Sequence, residues 1–200
     1  MSKIIAIVAG LSTLAVLGVT VWITQREAES PCGTTAVAGG DIGGPFELVN
    51  EDGVTVTDAD VITEPTLVYF GYTFCPDVCP LDAARNAAAV DILAEQGMSV
   101  TPVFITIDPV RDTVEVVREY TDNFHPKMIG LTGSEEQIAA ASQAYKTYYN
   151  KADDDPEYYL MQHSTFTYLM LPDKGFVEFF RQPTPAEEMA EITACHINAS

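Results

Sequence analysis

The stretch TLVYFGYTFCPDVCPL, residues 66–81, holds both the strand and the chemistry on which the reading of this chain turns. After Pro65, Thr66 to Phe70 is a continuous apolar and aromatic run, the composition of a strand buried on both faces of a sheet. Phe74-Cys-Pro-Asp-Val-Cys-Pro80 follows directly and sets Cys75 and Cys79 four residues apart on a turn entering a helix. Unpaired N–H groups and the helix dipole favour thiolates there. Pro80 biases Cys79 away from helical dihedrals, so the regular helix is expected to begin at about Pro80 and to leave both cysteines in the exposed connection. Leu81, Ala84, Ala88, Ile92 and Leu93 would form its apolar face, with Gly97 as the stop after Gln96.

On the N-terminal side, Phe46-Glu-Leu-Val and Val54-Thr-Val-Thr flank the turn residues Asn50-Glu-Asp-Gly53 and predict a leading β-hairpin outside the core. On the C-terminal side, Val100 to Ile107 predicts a second buried strand. Asp112-Thr-Val-Glu115 reads as a capping box opening a helix to about Phe124, and Ser134-Glu-Glu-Gln137 as another opening a helix to about Tyr148. Met128 to Leu131 is a short strand candidate between them. Lys151 to Tyr159, with three consecutive aspartates and Pro156, has the composition of an exposed loop. Thr165 to Leu171 and Phe176 to Phe180 make a hairpin across Pro172-Asp-Lys-Gly175, and Thr184-Pro-Ala-Glu187 caps a last helix. This order predicts an α/β sheet covered by helices, with its site at the C-terminal ends of strands.

Residues 4–23, IIAIVAGLSTLAVLGVTVWI, carry no charge and are long enough to cross a bilayer core at about 20 helical residues. A cleaved signal peptide is the alternative, but its apolar region runs about 7–15 residues and ends at a small-residue site. The longer run with Trp22 at its edge favours a single transmembrane helix. The expected layout is a membrane anchor at 1–25, a flexible tether at 26–41 rich in small residues, and one domain at 42–200. Its expected location is the inner (cytoplasmic) membrane, single-pass, with the domain facing the periplasm or an equivalent space. The 29 acidic against 10 basic side chains, a formal charge of −19, disfavour nucleic acid as a partner and leave a basic protein partner open. Cys32, in the tether, and Cys195, beside His196, are assigned no role.

A Cys-x-x-Cys pair points first to thiol exchange; the extra residue between Cys75 and Cys79 widens the bite and favours a chelated metal, with a local disulfide as the alternative. Beyond this motif stand Thr106-Ile-Asp-Pro-Val-Arg-Asp-Thr113, Gly130-Leu-Thr-Gly133, and His163-Ser-Thr-Phe with Pro172-Asp-Lys-Gly175 behind it. Together with Gly71 to Pro80 these stretches resemble the Sco/SenC family of copper-handling proteins in respiratory oxidase assembly, over about residues 42–190. The resemblance implies a thioredoxin-like fold and copper held by Cys75, Cys79 and His163. It also implies delivery to the binuclear copper centre of cytochrome c oxidase subunit II, an upstream copper donor and a thiol reductant. One departure is Met161-Gln162, where family members often carry an Asp near the histidine, so the partner that orients the imidazole is open.

In a thioredoxin-like sheet the loop leading into the strand near Thr165 runs beside the cysteine turn, which brings His163 to the two thiols. Two thiolates and an imidazole make a soft site suited to Cu(I), with an added oxygen or water able to satisfy Cu(II). Zinc is the rival metal, but structural zinc prefers four protein ligands and no fourth stands at a zinc-like spacing. The first functional reading is therefore a copper metallochaperone without chemical turnover. The alternative is a thiol–disulfide reductase in which Cys75 and Cys79 are the redox-active pair and keep the recipient's copper-site cysteines reduced. Ser164 stands where thioredoxin-like oxidoreductases usually place a cis-proline, which weakens the general oxidoreductase reading. Asp112 is expected as a helix cap, Asp108 with Arg111 as a local ion pair, and Asp77 as a solvent-exposed residue.

Overall fold

The computed structural model describes Cys32, residues 41–152, Asp155 and residues 158–200. The transmembrane helix expected over residues 4–23 and nearly all of the tether lie outside these residues; among the described residues no helix is long and apolar enough to cross a membrane.

The chain begins with a hairpin, β1 (Glu47–Asn50) and β2 (Thr55–Thr57), and a short helix, α1 (Asp58–Val61). Then come β3 (Thr66–Gly71), α2 (Val78–Glu95), β4 (Thr101–Thr106), α3 (Val114–Asp122), β5 (Ile129–Thr132) and α4 (Glu135–Ala144). A second small ribbon, β6 (Tyr149–Lys151) and β7 (Met161–His163), precedes the hairpin β8 (Thr167–Leu171) and β9 (Gly175–Phe180) and the last helix, α5 (Ala186–Asn198). The main sheet runs β2-β1-β5-β4-β3-β8-β9. Its centre is parallel, β3 with β4 and β4 with β5, while β8 pairs antiparallel with β3 and β9 with β8. Every residue of β3 and of β4 is buried, as their unbroken apolar runs predict.

Two cores hold the layers together. Leu67 and Leu169 meet Val90, Leu93, Met189 and Ala190 of α2 and α5 in one. In the other, Val68, Phe70 and Leu131 gather with Ile138 and Ala141 of α4 and with Tyr145 just after it. Ring contacts continue it from Phe70 to Tyr145 at 5.2 Å and from Tyr145 to Tyr168 at 5.5 Å.

Several expectations are corrected. The leading hairpin is not outside the core: β1 pairs with β5, and Phe46 and Leu48 are buried in the second core. Helix α2 begins at Val78 rather than about Pro80, so Cys79 lies in its first turn. Proline is tolerated there because its missing N–H would have had no intrahelical partner. The buried face of α2 is also different: Leu81 is exposed, and Asp82, Ala83, Asn86, Ala87 and Val90 face inward. A count of apolar positions discards Asp82 and Asn86, yet both are paired where they lie. Asp82 meets Arg85 at 2.9 Å, and Asn86 accepts a hydrogen bond from the Thr167 hydroxyl at 3.1 Å. Finally, residues 151–159 are not simply an exposed loop. Lys151 belongs to β6, and Tyr159 is buried.

Asp112 is the most consequential revision. The cap of α3 is Thr113, which accepts from the Val116 N–H at 3.4 Å, whereas Asp112 is fully buried. The Asp112 carboxylate accepts from the Thr73 N–H at 3.0 Å, the Thr73 hydroxyl at 2.6 Å and the Thr106 hydroxyl at 2.6 Å. It thereby buckles the cysteine turn to the end of β4. A cap and a buckle differ in cost. Thr113→Ala should lower stability by about 1 kcal/mol, the usual loss for a cap. Asp112→Ala, which strands buried donors, should lower it by about 3 kcal/mol. Urea denaturation of both variants decides this, and equal losses would return Asp112 to the role of a cap.

Candidate metal centre

The two sulfurs are placed by the way β3 hands the chain to α2. Gly71 ends the strand, and a Cβ there would lie 2.7 Å from the Tyr69 ring, 3.0 Å from the Phe104 ring and 3.1 Å from Cys79 Sγ. Only glycine lets the sulfur settle against the strand end. The chain then turns, with the Cys75 N–H donating to the Tyr72 carbonyl at 3.3 Å. The first-turn N–H of Cys79, which has no intrahelical acceptor, donates to Cys75 Sγ at 3.4 Å. Neither cysteine lies in an exposed connection: Cys79 is 0% and Cys75 9% accessible.

His163 arrives from β7. Its Nε2 is 3.4 Å from Cys79 Sγ, and its Nδ1 is 2.8 Å from the Ser164 carbonyl oxygen. A carbonyl only accepts, so Nδ1 carries the proton and donates it. The Nε2 lone pair is then left facing the thiols. This answers the question raised by Met161-Gln162, because a main-chain carbonyl orients the imidazole where an aspartate was the expected partner. The ring is held edge-on by Tyr69 and Tyr72, with centroids at 6.3 and 5.9 Å and interplanar angles of 77° and 87°. The ligand atoms of Cys75, Cys79 and His163 all lie within 4.8 Å of one another. One ion with bonds of about 2.0–2.3 Å can bridge separations of that order.

The charges sort the two thiols. Cys75 is pulled well below the ordinary thiol range, first by the hydrogen bond from the Cys79 thiol and further by the N–H groups of Asp77 and Cys79, against the effect of burial. Cys79 is pushed up, because it donates its proton to Cys75 and because it is buried. One proton is thus shared by the pair, and Cys75 carries the negative charge. The Tyr69 hydroxyl is pushed far up, first by burial and then by the neighbouring Asp82 carboxyl. It lies beside Cys79 and Asp82 without a well-aligned hydrogen bond. Burial raises Asp82 while Arg85 opposes the shift.

The structure therefore brings together the three residues singled out in the sequence. Cys32 and Cys195 are both disulfide-bonded, which leaves Cys75 and Cys79 as the free thiols. Asp77 is exposed and caps α2 without a side-chain hydrogen bond, as expected of a solvent-facing residue. Asp108 and Arg111 form the expected ion pair at 2.5 Å. Sequence reasoning missed Tyr69, Tyr72, Asp82 and Tyr159. Strand alternation marks Tyr69 only as core, and no local pattern shows that Tyr159 or Tyr72 will face the histidine-bearing ribbon.

Fold and site define a mixed α/β protein with a soft, three-donor Cys-Cys-His centre at the end of a parallel strand. The chain belongs to the SCO1/SenC family, whose model matches residues 34–198. It is 48% identical to protein SenC of Rhodobacter capsulatus, over 99% of this chain and 92% of that protein. The crystal structure of Arabidopsis thaliana ScoI with copper bound is 42% identical with a TM-score of 0.76, covering 80% of this chain and 99% of that one. Bradyrhizobium japonicum ScoI, also solved with copper bound, is 36% identical with a TM-score of 0.69, covering 76% and 98%. The fold is the thioredoxin-like Sco fold, as the sequence led us to expect.

The charge assignment has a direct test. In reduced, metal-free protein, thiolate absorbance near 240 nm equivalent to one thiolate per chain should persist below pH 7, well under the ordinary cysteine value of about 8.5. Cys75→Ser should remove it. A single loss of absorbance near pH 8.5 in the wild-type chain would contradict the assignment.

Proposed function

We propose that this chain is a copper metallochaperone that holds one Cu(I) with Cys75, Cys79 and His163 and passes it on by ligand exchange. The observation that carries this reading is the convergence of two sulfurs and a lone-pair nitrogen on one point, with no fourth protein donor joining them among the described residues. Soft donors suit Cu(I), and an open three-donor site suits release as well as capture. Cys79 is closed off behind the strand end, while Cys75 keeps 9% accessibility and His163 is half-buried. A recipient thiolate therefore approaches from the side of Cys75 and His163. An added oxygen ligand would let the same site accept Cu(II).

Copper bound in the related Arabidopsis and Bradyrhizobium structures supports the cargo. The family resemblance supports the binuclear copper centre of cytochrome c oxidase subunit II as recipient, with an upstream copper donor and a thiol reductant completing the cycle. The apolar residues 4–23 support a single-pass anchor in the inner membrane with the domain on the periplasmic or equivalent side. A second reading rests on the free dithiol with a thiolate at Cys75: reduction of a recipient disulfide by Cys75 and Cys79 before metallation.

Chelator competition on reduced, anaerobic protein separates the two. One tightly held Cu(I) per chain is expected, with affinity falling more than about 100-fold in His163→Ala, since even the outer partners of metal ligands are worth about 10–100-fold. Binding no tighter than that of a simple dithiol, and unchanged in His163→Ala, would sink the three-donor site and leave thiol exchange as the function.

A further inference from the structure

The third ligand is carried by an element that the main sheet does not hold. β6 and β7 form their own two-stranded sheet, paired Tyr149 with His163, Asn150 with Gln162 and Lys151 with Met161. A lone two-stranded ribbon is marginal in water. No ladder joins it to the main sheet, so apart from the three residues that link His163 to β8, side chains must fix where it stands.

Arg111, on the segment after β4, makes most of the connections. Its Nε meets the Asp108 carboxylate at 2.5 Å, and its Nη1 donates to the Tyr159 carbonyl at 2.9 Å. The guanidinium lies 3.6 Å from the centroid of the Tyr159 ring, and Phe74 and Tyr72 of the cysteine turn stand at 4.7 and 5.8 Å from it. The Tyr159 hydroxyl closes the circuit by donating to the other Asp108 oxygen at 2.7 Å. Two residues further on, the Met161 N–H donates to the Tyr72 hydroxyl at 3.2 Å, and Tyr72 is one of the rings against His163. Asp108 and Tyr159 are each 2% exposed, so these bonds are made away from competing water.

We propose that Arg111 is a positioning residue of the metal centre: its guanidinium, locked by Asp108, clamps the histidine-bearing ribbon to the cysteine turn through Tyr159 and so sets where His163 stands. The inference rests on the three-donor reading above for its effect on copper, but not for its effect on the ribbon. It also specifies the chemistry of position 111. Only a planar group can bind the Asp108 carboxylate, donate to the Tyr159 carbonyl and stack on aromatic faces at once; a lysine ammonium cannot.

The test uses the whole chain in detergent, with Arg111→Ala, Arg111→Lys and Tyr159→Leu, each alone and combined with His163→Ala. In the metal-free chain, deuterium uptake at residues 158–164 should rise in all three single variants while β3 and β4 stay protected. Cu(I) affinity by chelator competition should fall about 10–100-fold in each. That fall should disappear in the His163→Ala background, and lysine should fail to rescue it. Tyr159→Leu keeps the Asp108–Arg111 pair and serves if Arg111→Ala does not fold. Unchanged uptake at 158–164, or the same affinity loss with and without His163, would overturn the clamp. If the wild-type chain shows no His163-dependent copper binding, the proposed function falls, and the exchange arm alone decides the clamp.

Discussion

The Cys79 N–H has nowhere to go inside its own helix, and the sulfur of Cys75 is where it goes. That single bond joins a problem every helix has at its N-terminus to the requirement that two thiols face each other. Pro80 adds no further orphan donor at the next position, because it has no N–H. The Asp112 carboxylate then draws Thr73 of the same turn onto the end of β4, so the turn after β3 and the end of β4 share one buried acceptor. The dithiol therefore inherits the rigidity of the most buried part of the molecule.

His163 inherits no such rigidity. It stands on a three-residue strand of a separate ribbon, brought in by contacts from Tyr72, Arg111 and Ser164. The centre is thus built from one half fixed by backbone ladders and another half fixed by side chains. A site that must take up an ion and let it go has use for both, since two donors can retain the ion while the third is the one whose supports are fewest. The imidazole tautomer follows from the same economy of parts. A main-chain carbonyl next in sequence suffices to aim Nε2, with no carboxylate needed.

The sequence exposes much of this and hides a definable remainder. Unbroken apolar runs reveal β3 and β4, and Ser134 with Gln137 reveals the start of α4 through a reciprocal box that the structure contains. Cys75, Cys79 and His163 are legible because their residue types are chemically distinctive. Asp112 is misread because Thr113, one residue later, can cap the helix equally well, and pattern alone does not choose between them. Asp82 and Asn86 are misread because a polar residue on a helix counts as outward until its buried partners, Arg85 and Thr167, are known. The β6–β7 ribbon is hidden by Tyr149-Asn-Lys151 and Met161-Gln-His163, segments too short for any alternation to register. Tyr159 is hidden because the aspartates before it give the whole segment the composition of a loop. What escapes is consistently the long-range pairing of polar and aromatic groups, which no local window contains.

The thiol–imidazole contact spans 84 residues of chain between Cys79 and His163, and this has a consequence during synthesis. A chain made from its N-terminus presents Cys75 and Cys79 as a bare dithiol long before the histidine has been added. β3 must also wait for its antiparallel neighbour β8, which follows His163. Contacts of such separation close late, because the intervening chain must surrender its freedom first. The newborn protein therefore passes through a period in which it is a reactive thiol pair with no third donor. What distinguishes a finished molecule from an unfinished one is the arrival of a single imidazole.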